Sequence, residues 1–92
     1  GDDIHIDAEL GVGVAVLGGS VSIATLAGEK QHKVSPGIQR GSKLRFKGQG
    51  VPGRGQQPDG HLIVTFKVKI PDQDALTPEE LSALEELKNR NL

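Results

Sequence analysis

Between Val34 and Pro52 the chain reads VSPGIQRGSKLRFKGQGVP, and this stretch limits the fold more than any other. Pro36 fixes its own φ and Gly37 can take φ > 0, a pair suited to a type II turn. Gly41 marks where the backbone straightens again. From Lys43 the residues alternate, with Leu44 and Phe46 on one face and Lys43, Arg45 and Lys47 on the other. Gly48 and Gly50 then break the strand. Two turns bracketing one short strand predict a sheet with a core side and a wet, basic side.

The flanking segments follow the same design. Residues 3–10 alternate Ile4, Ile6, Ala8 and Leu10 against Asp3, His5, Asp7 and Glu9, which predicts a half-buried strand. Ser20 to Leu26 carries Val21, Ile23 and Thr25, residues suited to a pleated surface. Ala27-Gly28 turns it into a third strand at Lys30 to Val34, where Lys30 and His32 share the face of Val34. That strand is expected to be exposed or at an edge. His61 to Ile70 is the longest run, with Leu62, Val64, Phe66, Val68 and Ile70 inward, Thr65, Lys67 and Lys69 outward, and Pro71 as its stop. Between the first and second strands lies GVGVAVLGG. Here Val12, Ala15, Val16 and Leu17 could line one side of a short helix, yet Gly11 and Gly13 each cost about 1 kcal/mol against Ala in a helix. Periodicity alone leaves helix and loop both open.

The tail predicts a helix with its own start signal. Thr77 is a natural N-cap, Pro78 suits the first helical position, and Glu80 completes a capping box. Leu81, Leu84 and Leu87 recur at helical spacing, while Lys88 and Arg90 complement the negative end of the dipole. The leucine stripe needs cover, and the chain's own sheet is the expected surface.

Residues 1–92 are read as a single domain with a modest core, since apolar residues make up 35% of the chain. Two Phe with no Trp or Tyr leave Val, Ile and Leu to build that core. The absence of cysteine excludes disulfides and Cys-ligated zinc. No apolar run approaches the roughly 18 residues of a membrane span, and no signal-peptide pattern is present. The chain does not begin with Met, which suggests an excised fragment. A cytoplasmic location is expected, with mitochondrion or plastid as alternatives should targeting segments belong to the parent chain.

Charge and motif readings narrow the chemistry. Net charge is −1, which gives no global field for nucleic acid. Lys30, Lys33, Arg40, Lys43, Arg45, Lys47 and Arg54 nevertheless crowd the middle, and a solvated basic face explains them most simply. Gly48 to Gly53 satisfies G-x-G-x-x-G after a strand, but Pro52, Gly53, Gly55 and Pro58 forbid the helix that a pyrophosphate site requires. His5, His32 and His61 stand singly, and surface alternation accounts for Asp2, Asp3 and Asp7, so no metal site is expected. Neither a Cys nucleophile nor a checkable Ser–His–Asp set is present. No enzymatic activity and no cofactor are expected.

The motifs resemble the C-terminal client-binding region of DnaJ (J-domain) co-chaperones. Pro36, Gly37, Gln39 and Gly41 match PG-x-Q-x-G; Lys47, Gly48, Gly50 and Pro52 match KGQGVP; and Asp59-Gly60 opens the last strand. VLGGSVSIATLAG, with Gly18 and Gly19, looks like that family's ALGG-x-[apolar]-x-[apolar]-PTLDG. The second of the family's two C-terminal β-domains fits better, because a helix follows the last strand. The resemblance implies a mainly β fold, a small antiparallel β-sandwich with one short inserted helix and a C-terminal amphipathic helix. It implies a co-chaperone module that binds unfolded polypeptide and supports its delivery to a DnaK-class heat-shock ATPase. Candidate client contacts are Val12, Val16, Ile23 and Leu26. Leu81, Leu84 and Leu87 lead toward a dimer contact, so a homodimer is within expectation. The family's J-domain and Cys-rich zinc repeat are absent from these residues, so ATPase stimulation and zinc do not carry over. Two other classes compete: a nucleic-acid-binding β-domain using Arg40, Lys43, Arg45 and Lys47, and a purely structural dimerisation module.

Overall fold

The computed structural model describes residues 1–92. In chain order they form β1 (Ile4–Gly11), α1 (Val12–Leu17), β2 (Gly19–Thr25), β3 (Gly28–Val34), β4 (Lys43–Phe46), β5 (Leu62–Lys69), a single 3-10 turn (Gln73–Ala75) and α2 (Pro78–Asn89). β5 sits between β1 and β4 in a three-stranded sheet, and β2 and β3 make a separate hairpin. The mainly β class, the short inserted helix and the C-terminal helix are as the sequence predicts.

β5 is central because it is the one strand with enough inward apolar residues to be covered on both flanks. Leu62, Val64 and Phe66 are buried, Val64 completely. β4 pairs antiparallel to it, setting Leu44 opposite Val64 and Phe46 opposite Leu62. β1 pairs on the other side, Ile6 opposite Val64 and Ala8 opposite Phe66, but parallel. An all-antiparallel arrangement misses this pairing. Residues 12–61 separate the two strands, so no tight turn dictates their relative direction.

The hairpin closes the other side of the core. Ile23 and Val34 join Leu10, Leu62, Val64 and Phe66 in one buried cluster, with Val14, Val21, Ile38, Leu44 and Phe46 packed around it. The β3 face is exposed at Lys30, as expected, yet His32 is half-buried. Its ring lies 6.2 Å from that of Phe66, nearly parallel, and 6.4 Å from that of Phe46, edge-on. One imidazole therefore fills the place between the sheets where an apolar side chain would otherwise stand.

The segment left open between helix and loop is a helix. Ala15 is its buried residue, and the Ala15 carbonyl accepts from the Gly37 N–H at 2.9 Å, so the Pro36-Gly37 turn anchors it. Gly18 follows at φ +80°, where a Cβ would stand 2.9 Å from the Val34 carbonyl oxygen. Only glycine combines that backbone angle with that approach. Val16 and Leu17 do not join Val12 and Ala15 on an inner face: they are 59% and 78% exposed. Leu17 lies roughly 140° around the helix from Val12 and so falls outside the stripe, while Val16, roughly 40° from Val12, shares the stripe but is left uncovered.

Two further expectations are corrected. Ile70 lies beyond the end of β5 and is 76% exposed, because the chain is already turning toward Pro71. The capping box forms, Thr77 Oγ1 accepting from the Glu80 N–H and Glu80 Oε1 accepting from the Thr77 N–H. However, α2 buries no residue and makes no extensive contact with either sheet. The molecule extends to 59 × 22 × 19 Å, so α2 lengthens the domain instead of covering the sheet.

Phe66→Ala is expected to cost about 3–5 kcal/mol, enough to unfold a domain of this size. Lys43→Ala, on the wet face of β4, should stay within about 0.5 kcal/mol of the parent. Denaturant midpoints check both, and equal effects would mean the strand faces are reversed.

Candidate functional site

The parallel register of β1 and β5 brings their C-terminal ends together, Gly11 opposite Lys69. From that shared end α1 leaves one strand and Ile70-Pro71 leaves the other. Pro71 stops the ladder, and the 3-10 turn reverses the chain through bonds from Ala75 N–H to the Asp72 carbonyl at 3.0 Å and Leu76 N–H to the Gln73 carbonyl at 3.1 Å. Thr77 then caps α2 so that its first turns lean toward α1. An open groove of about 710 Å³ lies between them, lined chiefly by Val12, Leu17, Ile70, Pro71, Leu76 and Leu84. Gly13 leaves part of its wall without side chain. Its one charged residue, Glu80, is engaged in the capping box.

The four candidate contact residues do not form one patch. Val12 lines the groove; Val16, though exposed, is not among its lining residues. Leu26 is 70% exposed at the tip of the β2–β3 hairpin, at the far end of that strand from α1. Ile23 is 2% exposed and belongs to the core, so it offers no surface while the hairpin is closed. The leucine stripe also divides: Leu84 faces the groove, Leu81 is half-buried, and Leu87 is exposed. Leu17, Ile70, Pro71 and Leu76 complete the lining without being singled out by the sequence. One signal does exist for Leu76: with Leu81 it occupies the two positions of a hydrophobic staple around the Thr77 cap.

The motif residues hold the frame. Gln39 Nε2 donates to the Gly37 carbonyl at 3.1 Å. The Gly41 N–H donates to the Phe66 carbonyl at 2.9 Å, and the Phe66 N–H to the Ser42 carbonyl at 2.8 Å. The first motif thus sets the register of β4 on β5. In the second and third motifs, the Gly50 N–H donates to the Gly60 carbonyl at 3.0 Å and the Gly60 N–H to the Val51 carbonyl at 2.9 Å. The Val51 N–H reaches the Asp2 carbonyl at 2.9 Å. A Cβ on Gly60 would stand 2.0 Å from that Asp2 oxygen. Asp59 Oδ1 accepts from the Gly53 N–H at 2.7 Å. Lys47 and Pro52 are exposed, Gly18 and Gly19 join α1 to β2, and none of these glycines lines the groove.

The basic strand is a less favourable surface. Lys43, Arg45 and Lys47 are exposed on the outer face of β4, but in register across β5 stand Thr65 and Ile63, then Asp7 and His5 on β1. Lys67 is paired with Asp7 at 3.2 Å. The face is mixed in sign, and Phe46 turns inward against His32. No helix is long and apolar enough to cross a membrane.

The family model for the DnaJ C terminal domain matches residues 1–71. A chaperone protein DnaJ from Caldicellulosiruptor bescii is 35% identical over 88 residues, which are 96% of this chain and 22% of that protein. A mitochondrial dnaJ chaperone protein from Arabidopsis thaliana is 40% identical over 86 residues, 94% of this chain and 18% of its own. Chaperone protein DnaJ 2 of Nocardia farcinica is 42% identical over 85 residues, 92% of this chain and 21% of that one. The chain spans about a fifth of the length of these curated relatives. The family match ends at Pro71, just past β5, so the α2 wall of the groove lies beyond it.

Because Leu17 is 78% exposed, Leu17→Ser should change stability by less than about 0.5 kcal/mol, and Leu84→Ser, at 42% exposure, by about 1 kcal/mol. Leu10→Ala, inside the core, should cost about 2–5 kcal/mol. Thermal or denaturant unfolding distinguishes them, and a large loss at Leu17 would place it in the core.

Proposed function

The chain belongs to the DnaJ C terminal domain family, and we propose that it serves as a co-chaperone module whose α1–α2 groove holds non-native polypeptide for delivery to a DnaK-class heat-shock ATPase. The supporting observation is an apolar groove left uncovered at Leu17 and Ile70 in a domain with few apolar residues to spare. Its accessible lining is almost wholly apolar, with few polar groups to hold water in place, which is the character of a surface that takes up apolar side chains. The groove is open, lined by aliphatic side chains and one proline, and nearly free of charge, so it discriminates little between sequences. That suits a holder of unfolded chains. We assign the module no catalytic role. A cytoplasmic location, with mitochondrion or plastid as alternatives, is part of the proposal.

A second reading draws on the exposure of Leu87 and Leu92 beyond the groove. α2 would there support a homodimer, its stripe covered by a second copy instead of by the sheet. A phosphate-tracking surface on β4 has less behind it, since acidic β1 residues share its face.

Holding a peptide orders its backbone at roughly 1–2 kcal/mol per residue, so affinity should be micromolar or weaker and almost independent of salt. Titration with a reduced, unfolded protein checks this, and Leu17→Asp with Ile70→Asp should abolish binding while circular dichroism stays unchanged. Binding that survives both substitutions would sink the groove. An oligonucleotide held instead, with a log–log salt slope near −3 to −4 for about four phosphates, would favour the basic strand. Sedimentation at micromolar concentration should show self-association that Leu87→Asp removes; a monomer throughout would dismiss the dimer reading.

A further inference from the structure

Gly48 ends β4 at φ +75°, and its N–H donates to Nδ1 of His61 at 3.0 Å. This N–H makes no backbone hydrogen bond. Nδ1 can accept only when it carries a lone pair, so the ring must be neutral with its proton on Nε2. A protonated imidazole presents an N–H at both nitrogens and would set one donor against another. His61 is half-buried, and its own backbone is fixed: its N–H donates to Asp3 Oδ1 at 2.7 Å and its carbonyl accepts from the Ile4 N–H at 2.8 Å. The main chain that carries the ring is thus anchored to β1 independently of the turn.

We propose that His61 is a pH-sensitive latch: the neutral imidazole holds the turn at residues 47–50 to the start of β5, and protonation releases that turn. The sign follows from the geometry. Stabilisation is present while the ring is neutral and is lost as the pH falls and the ring takes its proton. The β1–β5 and β4–β5 registers, continued by one residue, set His61 between Asp3 and Lys47, with His5 and Arg45 next along the same face. His32, between Phe46 and Phe66 on the core side, is a separate group.

Two measurements on the 92-residue chain test the latch. Nitrogen-15 NMR of the His61 ring at about pH 8 should show Nδ1 unprotonated and Nε2 protonated. Amide exchange, corrected for its intrinsic pH dependence, should show Gly48 losing roughly three- to tenfold protection between about pH 8 and pH 5, while amides within β5 keep theirs. His61→Asn, whose Oδ1 can stand in for Nδ1 without titrating, should hold that protection at both pH values, and His61→Phe should lack it at both. A proton on Nδ1 at about pH 8 overturns the proposal. So does wild-type protection at Gly48 that ignores acid, an equal acid loss in His61→Asn, or a loss spread evenly through β5.

Discussion

The inward row of β5 is the constraint on which the structure depends. Leu62, Val64 and Phe66 are the only three successive inward positions of any strand that are all buried. The other strands are placed by reaching them: β1 through Ile6 and Ala8, β4 through Leu44 and Phe46, and the hairpin through Ile23 and Val34. With seven buried apolar residues in the chain, no second cluster can replace this one. The glycine motifs serve it, because each sets a turn whose backbone bonds fix a neighbouring strand against β5.

The groove follows from the same pairing. A parallel β1 ends beside the end of β5, and the segments leaving both strands must diverge from one point. α1 is held down by the Gly37–Ala15 bond, while Ile70-Pro71 turns outward toward α2. An antiparallel β1 would have separated Val12 and Ile70 by the length of the sheet. The apolar site is thus a result of strand direction, a property that no local pattern in the sequence encodes.

This explains what could be read from the residues and what could not. Alternation at residues 3–10 and 43–47, the inner row at 62–68 and the Thr77–Glu80 box are local, and each stands where the sequence places it. Ile23 was a candidate contact on the strength of its strand, yet which β2 residues are covered depends on where the hairpin lands. Val16 and Leu17 show the same limit at helical period, since spacing gives the face a residue occupies but not whether another element covers that face. The leucine stripe of α2 signals a need for cover without naming the cover. His32 reads as an exposed interruption in β3, and only the approach of Phe46 and Phe66 gives it an interior role.

The two ends of the sandwich are held by different physics. At the α1–α2 end the contacts are apolar, and exposed leucines can be rearranged or covered at little cost. At the end where β4 meets β5, the 48–60 segment buries only Gly50 and Gly60. Its cohesion comes from directed bonds: Gly50 to Gly60, Val51 to Asp2, Gly53 to Asp59, and Gly48 to the His61 ring. Apolar contact falls off gradually as a surface opens, and the carbonyl acceptors of Gly60 and Asp2 keep their lone pairs in acid, whereas an imidazole nitrogen that takes a proton can no longer accept. The proposed acid response is therefore local to the Gly48 turn, while the groove, built from residues without titratable groups apart from Glu80, is governed by apolar contact.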